Sequence, residues 1–143
     1  MRHGGDEAFA LGAAFVGAVK HRQVFGFEPT SHRLAIFLDA FNRGDVDAVT
    51  SLYEPGALLV TGRETVTGHE AIREAYERML ARGGRMELET RLLVESGQGL
   101  AVLHASWTLH GTGSTVSGIS TEVVRRQPNG TWLFVIDEPR TPA

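Results

Sequence analysis

Residues 40–53 read AFNRGDVDAVTSLY, a stretch that predicts the end of one helix followed at once by the start of another. The segment before it carries an apolar stripe at spacings of three and four residues, formed by Leu34, Phe37, Leu38 and Phe41. Such a stripe is typical of an amphipathic helix packed on a core. Gly44 is suited to the left-handed turn that ends this helix, and Asp45 is placed to cap a second, short helix over residues 46–53.

A third helix follows after a short strand. The strand is predicted over residues 57–61, directly after Pro55 and Gly56, and the loop over residues 62–67 has room for a brief further strand. Gly68 opens the helix, whose apolar face is composed of Ile72, Ala75, Tyr76, Met79 and Leu80.

From residue 85 onward the sequence alternates between apolar and polar residues, the period of half-buried strands. Four strands are predicted, over residues 86–95, 100–110, 115–126 and 132–137. Turn residues join them, most clearly Pro128-Asn129-Gly130. Three helices followed by a four-stranded antiparallel meander define an α+β domain, which we assign to residues 29–143.

Composition excludes several classes of function. The chain has 143 residues, a net charge of −3 and no cysteine, so it offers no basic surface for nucleic acid or an anionic membrane, and no thiolate nucleophile or metal ligand. The apolar run at residues 8–19 is shorter than the roughly 20 residues that span a bilayer. Residues 1–28 are predicted to be an N-terminal arm that docks on the body or on a partner, although a cleaved signal is an open alternative. We expect a cytoplasmic protein.

Three segments together resemble a known superfamily: residues 40–53, GHEAIREAY at residues 68–76, and NGTW at residues 129–132 followed by Ile136-Asp137. They are similar to the helix–loop–helix opening, the third helix and the last hairpin of the SnoaL-like, nuclear-transport-factor-two-like domains. Within that superfamily the chain most resembles small bacterial proteins found beside polyketide pathways, including those of enediyne antibiotics.

The resemblance implies a cone, in which a curved antiparallel sheet wraps around the long first helix and leaves an apolar pocket at the open end. It also implies a homodimer paired through the sheet. It does not imply one activity, because relatives include ketosteroid isomerase, scytalone dehydratase, polyketide cyclases, epoxide hydrolases and non-catalytic association domains. Function therefore has to be argued from the pocket.

The ketosteroid isomerase mechanism fails on this sequence. Overlaying that family's motifs puts its oxyanion-hole tyrosine at Phe37, its base at Thr61 and its protonated acid near Ser120 or Thr121. A phenyl ring has no hydrogen-bond donor, and a threonine hydroxyl cannot abstract a proton at neutral pH without a base of its own.

The same overlay predicts which side chains face the pocket. The inward set is Leu103, Ala105, Trp107 and Leu109 on the second strand of the meander, and Leu133, Val135 and Asp137 on the last. Trp107 offers a flat surface for a planar or polyene ligand, or fills the core. Trp132 is expected on the face opposite Asp137, in a structural or interfacial role.

Asp137 is the candidate catalytic residue, since an apolar strand carries it toward the pocket, where poor solvation would raise its pKa. The alternative is an aspartate at a strand end that pairs with backbone or with an arginine. Tyr53, at the end of the second helix, is placed to donate its hydroxyl into the pocket, or else is a core tyrosine bonded to backbone. Thr61 is a further hydrogen-bond donor.

The outward strand faces suggest no metal site. His104 and His110 lie six residues apart on one strand, about 20 Å, too far to share an ion. Glu122 and Arg91 are expected on strand faces that form the dimer surface. No cofactor signature is present in the sequence.

Two functions stay open. The first is a pocket protein of secondary metabolism that binds a small hydrophobic or polyene intermediate, or cyclises, isomerises or dehydrates it by proton transfer. The second is a non-catalytic dimeric module that serves another protein, for instance a biosynthetic enzyme. A pocket filled by Phe37, Trp107 and Leu109 would leave only the second.

Overall fold

The computed structural model describes residues 28–62 and 64–140, with side chains from residue 32 onward. The N-terminal arm predicted over residues 1–28 lies almost wholly outside the described residues. Three helices are present: α1 (Glu28–Asn42), α2 (Val46–Ser51) and α3 (Gly68–Ala81). The strands are β1 (Tyr53–Val60), β2 (Thr65–Thr67), β3 (Arg85–Glu95), β4 (Leu100–His110), β5 (Thr115–Arg126) and β6 (Trp132–Arg140). The α+β class and the four-stranded meander are confirmed.

One curved six-stranded sheet runs in the order β2-β1-β6-β5-β4-β3. All neighbours are antiparallel except β1 and β6, which are parallel. The prediction of a wholly antiparallel sheet is wrong at this pair. Parallel neighbours need a crossover connection, and here α3 and the meander together supply it.

Helix α1 packs across β3 and β6. Its last residue is tied to the sheet because the Asn42 side-chain amide donates to Met86 O at 2.9 Å and accepts from Met86 N at 2.8 Å. Asp45 then caps α2, as predicted, by accepting from Ala48 N at 3.0 Å. The core between helices and sheet is dense, and its largest fully buried side chains are Tyr53, Phe134, Leu59, Ile72, Leu93, Leu103, Val49 and Val124.

Strand β1 begins earlier than predicted. Helix α2 ends at Ser51, so Tyr53 is the first residue of the strand rather than the last of the helix. Pro55 and Gly56 lie inside β1, where the pairing with β6 is irregular. The strand tolerates proline there because β2 pairs only with Leu58 to Val60, which leaves the first half of β1 at a sheet edge.

Two bulges overturn the predicted strand faces. In β3 the register slips at Arg91, so that Leu93 is buried and Val94 is 40% exposed. In β6 it slips at Val135, so that Trp132 is buried on the same side as Asp137. A bulge inserts one unpaired residue and therefore reverses the alternation beyond it.

Candidate functional site

A cavity of about 360 Å³ opens between α1, α3 and the concave face of the sheet, within the usual size range of small-molecule sites. Its walls are mostly apolar. They are formed by Leu34, Phe37, Phe41, Thr61, Gly62, Tyr76, Met79, Arg82, Met86, Leu88, Trp107, Leu109, Ser120, Glu122, Phe134, Asp137 and Pro139.

Of the residues predicted for the pocket, five line this cavity: Phe37, Thr61, Trp107, Leu109 and Asp137. Leu103 and Ala105 do face inward, but they are fully buried in the packed core because the cavity begins beyond them along β4. Val135 does not line the cavity because it is the bulged residue of β6, and Phe134 lines it instead. Tyr53 lies behind the wall and contacts the cavity lining through Asp137 and Tyr76.

Asp137 is buried, with 6% of its surface exposed. The Tyr53 hydroxyl donates to its Oδ2 at 2.5 Å, and the hydroxyls of Tyr53 and Tyr76 lie 2.6 Å apart. Burial raises the pKa of Asp137 from 3.8 to about 6, and hydrogen bonding from the tyrosine hydroxyls limits the rise. Asp137 is therefore a carboxyl that changes its protonation close to neutral pH.

Each partner of Asp137 is fixed by its own element. Tyr53 opens β1 and is fully buried, with its ring 5.1 Å from that of Phe134. Tyr76 belongs to the buried face of α3, with its ring edge-on to Phe37 at 5.8 Å. Because aromatic contacts hold both rings, the two hydroxyls keep Asp137 in one orientation.

Glu122 is the functional candidate that the sequence analysis missed. It was predicted on the dimer surface, but it is 3% exposed and lines the cavity. On β5 it is the direct cross-strand partner of Asp137, a position that puts Cβ atoms about 5 Å apart. Burial first, and then the charge of Asp137, raise the pKa of Glu122 well above its usual range. In the structure Glu122 alternates with the buried Ser120 and Val124, but the sequence does not reveal this phase because Val123 and Val124 are both apolar.

The wall formed by β4 and β5 contains buried polar atoms that make no well-formed hydrogen bond: Trp107 Nε1, Ser120 Oγ and Glu122 Oε2. Ser120 nevertheless lies close enough to Glu122 for its hydroxyl to limit the rise in the pKa of that carboxyl. Gly118, opposite Trp107, leaves room for the indole, because a Cβ there would lie 2.6 Å from Trp107 Cζ2 and would also overlap the backbone oxygen of Arg140. The glycine thus lets the indole ring lie against the strand and line the cavity.

Thr61 lies at the mouth of the cavity, but its hydroxyl is not free. It donates to Glu64 O at 3.0 Å and accepts from Glu64 N at 3.2 Å, closing the loop after β1. Thr61 therefore positions the loop, and the prediction that its hydroxyl serves as a donor into the pocket is wrong in this structure.

The two strand histidines are engaged away from the cavity. His104 Nδ1 lies 3.0 Å from Thr121 Oγ1, and His110 Nε2 lies 2.9 Å from Glu87 Oε2. Within residues 28–62 and 64–140, no three His, Cys, Asp or Glu side chains gather in a way that would hold a metal ion. Among the described helices, none has the length and apolar character needed to cross a bilayer.

Comparison with known proteins agrees with this architecture. The family model described as a SnoaL-like domain matches residues 34–137. No curated protein sequence matches the chain significantly. An NTF-2 like protein of unknown function from Shewanella oneidensis is 19% identical, with a TM-score of 0.72 over 79% of this chain and 97% of the other.

Two further structural relatives have provisional activities attached to them. A Novosphingobium aromaticivorans protein provisionally assigned as a scytalone dehydratase is 13% identical, with a TM-score of 0.71 over 87% of this chain and 89% of the other. A Streptomyces avermitilis protein of the NTF2-like family, provisionally assigned as a dehydratase, is 19% identical, with a TM-score of 0.68 over 81% and 95%. At these identities the likeness shows the fold alone.

Proposed function

The chain belongs to the SnoaL-like family, and on that premise we propose that its cavity is the active site of a cofactor-independent proton-transfer enzyme. The substrate class is a flat, mostly apolar, polyketide-like or polyene molecule with a carbonyl group. The single observation that carries the proposal is Asp137, a buried carboxyl on the wall of an open apolar cavity, held by Tyr53.

The reaction begins with Asp137 as a carboxylate. It takes a proton from the carbon beside the ligand's carbonyl group, and the electron pair of that C–H bond moves into the carbonyl to give an enolate. The proton on Asp137 then returns to a different carbon in an isomerisation. In a dehydration it goes to a hydroxyl group that leaves as water, and in a cyclisation to the oxygen of a second carbonyl attacked by the enolate carbon.

The open cavity favours this activity over a purely structural association module. Phe37, Trp107 and Leu109 line the space without filling it. The polyketide assignment is supported by the sequence resemblance, and a dehydration by the provisional activities of two structural relatives.

We also propose that the chain forms a homodimer through the outer face of the sheet. This face carries exposed large apolar side chains, the most exposed being Ile119 at 59%, together with Val94 and Ile136. Exposed apolar residues on one face are typical of an interaction surface. Sedimentation of the wild type and of Ile119→Lys tests this: a dimer that the substitution dissociates supports it, and a wild-type monomer contradicts it.

The test of the activity uses 1-tetralone, a flat bicyclic ketone, as the probe. Wild-type protein in deuterated buffer is expected to exchange the protons beside the carbonyl, as followed by NMR. Asp137→Asn should slow the catalysed exchange by about 10²–10⁴-fold, the usual contribution of a general base. Asp39→Asn, an exposed aspartate on α1, is the matched control and should exchange at the wild-type rate. Wild-type exchange by Asp137→Asn, or none by the wild type, would contradict the proposal.

A further inference from the structure

Three of the four buried side-chain polar atoms that lack a partner in the described part of the chain lie on one wall of the cavity: Trp107 Nε1, Ser120 Oγ and Glu122 Oε2. A buried polar atom without a partner destabilises the folded state by about 1–3 kcal/mol. Native proteins keep few such atoms, so three in one small region indicate that a ligand supplies the missing hydrogen bonds.

The strand register brings these atoms together. Ala105 pairs with Ser120, and Trp107 pairs with Gly118, which makes Trp107 and Ser120 diagonal neighbours on the same face. Glu122 follows Ser120 by two residues and so also faces the cavity. Diagonal or next-but-one neighbours lie about 7 Å apart at their backbones, so Ser120 lies between Trp107 and Glu122, whose backbones are about 14 Å apart. A ligand that lies along this wall can therefore meet polar groups from all three residues.

The chemistry of the three groups selects the ligand atom. An indole N–H only donates, a serine hydroxyl donates or accepts, and a carboxyl that holds its proton donates. Glu122 is the carboxyl of the pair that holds the proton, because the Tyr53 hydroxyl donates to Asp137 at 2.5 Å and stabilises its negative charge, whereas Glu122 Oε2 makes no well-formed hydrogen bond. An indole N–H, a protonated carboxyl and a hydroxyl that can donate together favour an acceptor oxygen over a cation.

We infer that Trp107, Ser120 and Glu122 form an oxygen-binding site, which takes the carbonyl oxygen of an enolisable ketone or the hydroxyl oxygen of the corresponding enol or phenol. This inference rests on the proposed function, since Asp137 must reach the carbon beside that oxygen. Asp137 is the direct cross-strand neighbour of Glu122, so an oxygen held by Glu122 leaves the adjacent carbon beside the Asp137 carboxylate. Glu122 is then a catalytic residue that stabilises the developing enolate oxygen.

Equilibrium dialysis with 1-naphthol and naphthalene at neutral pH tests the site without requiring turnover. The two molecules share one ring system and differ by one hydroxyl group. The wild type is expected to bind 1-naphthol at least about tenfold more tightly than naphthalene, the worth of one or two hydrogen bonds to otherwise unpartnered groups.

Substitutions show which residues produce the preference for 1-naphthol over naphthalene. Trp107→Phe and Glu122→Leu should each reduce it by about threefold or more, while naphthalene still binds and so reports that the cavity persists. Glu122→Gln, whose amide still donates, should keep most of the preference, and Glu87→Gln on the exposed face of β3 should keep all of it. Equal binding of the two probes by the wild type, or full preference in both Trp107→Phe and Glu122→Leu, would overturn the site.

The two proposals fail separately. A preference for 1-naphthol that depends on Trp107 and Glu122, in a protein that exchanges no protons of 1-tetralone, upholds the oxygen site and rejects the enzyme. Exchange that depends on Asp137, with no preference for 1-naphthol, upholds the enzyme and rejects the oxygen site.

Discussion

Two walls of the same cavity differ in how their polar groups are bonded. On the wall formed by β1, α3 and β6, the hydroxyls of Tyr53 and Tyr76 and the carboxyl of Asp137 form one continuous hydrogen-bonded network. On the wall formed by β4 and β5, Trp107 Nε1 and Glu122 Oε2 have no partner. The bonded wall therefore holds Asp137 in one orientation, whereas the polar groups of the unbonded wall are available to bind a ligand.

The difference in hydrogen bonding between the two walls also determines which of the two carboxyls, Asp137 or Glu122, ionises first. Asp137 and Glu122 are directly opposed and both buried, so two negative charges there would repel strongly in a region of low dielectric. The hydrogen bond from Tyr53 stabilises the charge on Asp137. Near neutral pH the pair therefore holds one proton, on Glu122, so that a base on one wall faces an acid on the other.

The largest expected effect is on the pH dependence of stability. The folded-state pKa of Asp137 lies above its value of 3.8 in the unfolded chain, at about 6, so the folded state binds more protons between these values. The contribution of Asp137 to the free energy of unfolding is therefore fully present below about pH 4, and it is lost as the pH rises through about 6. The loss from Asp137 is about 3 kcal/mol, since one pKa unit is worth about 1.4 kcal/mol.

Urea unfolding of the wild type and of the Asp137→Asn/Glu122→Gln double variant, at a series of pH values from 4 to 8, measures the combined loss from the two carboxyls, of which Asp137 accounts for about 3 kcal/mol. Subtracting the curve of the double variant removes the contribution of all other groups. Parallel curves for the two proteins would show that neither carboxyl has a raised pKa.

Substitution on the bonded wall should have the next largest effect. Tyr53→Phe removes the donor to Asp137 and the partner of Tyr76, and we expect a loss of about 2 kcal/mol in the free energy of unfolding. It should also raise the pKa of Asp137, and so move the acid limb of the exchange activity to higher pH. Tyr76→Phe, which removes one hydrogen bond and leaves the one to Asp137, should cost about 1 kcal/mol. Equal losses in both variants would mean that the network is not centred on Asp137.

Substitution on the unbonded wall should have the smallest effect on stability. Glu122→Gln removes a buried ionisable group whose Oε2 has no partner, so the free energy of unfolding at pH 7 should change by less than about 0.5 kcal/mol or increase. Chemical denaturation of Glu122→Gln and Tyr53→Phe under the same conditions checks this contrast. A loss as large as that of Tyr53→Phe would show that both walls are equally structural.

The bonded wall was the harder one to predict from sequence. The family overlay placed Trp107 and Leu109 correctly, because a strand without bulges keeps its phase. The same overlay placed Asp137 on one face with Val135, whereas Asp137 faces the cavity beyond a bulge at Val135 that also turns Trp132 inward. Local sequence carries no clear sign of such a bulge, because the cross-strand pairing determines it.

Glu122 and Tyr53 were misplaced for different reasons. Glu122 has the inward position of its strand, but glutamate is rarely buried without a partner, and so it was predicted on a surface. Tyr53 was assigned to a helix end because Pro55-Gly56 reads as a stop signal, whereas that dipeptide occupies an irregular edge of β1. The helices and the meander were predictable because their periodic patterns extend over many residues.

A carboxyl ¹³C NMR titration of Asp137 and Glu122 tests whether the cavity pairs a base with an acid, since it follows each group separately in the unliganded protein. The structure predicts that Asp137 loses its proton first, with a pKa of about 6, and that Glu122 stays protonated until a clearly higher pH. Tyr53→Phe should move the Asp137 step upward. Ionisation of both carboxyls below pH 5 would contradict the account, because the cavity would then contain no acid to pair with its base.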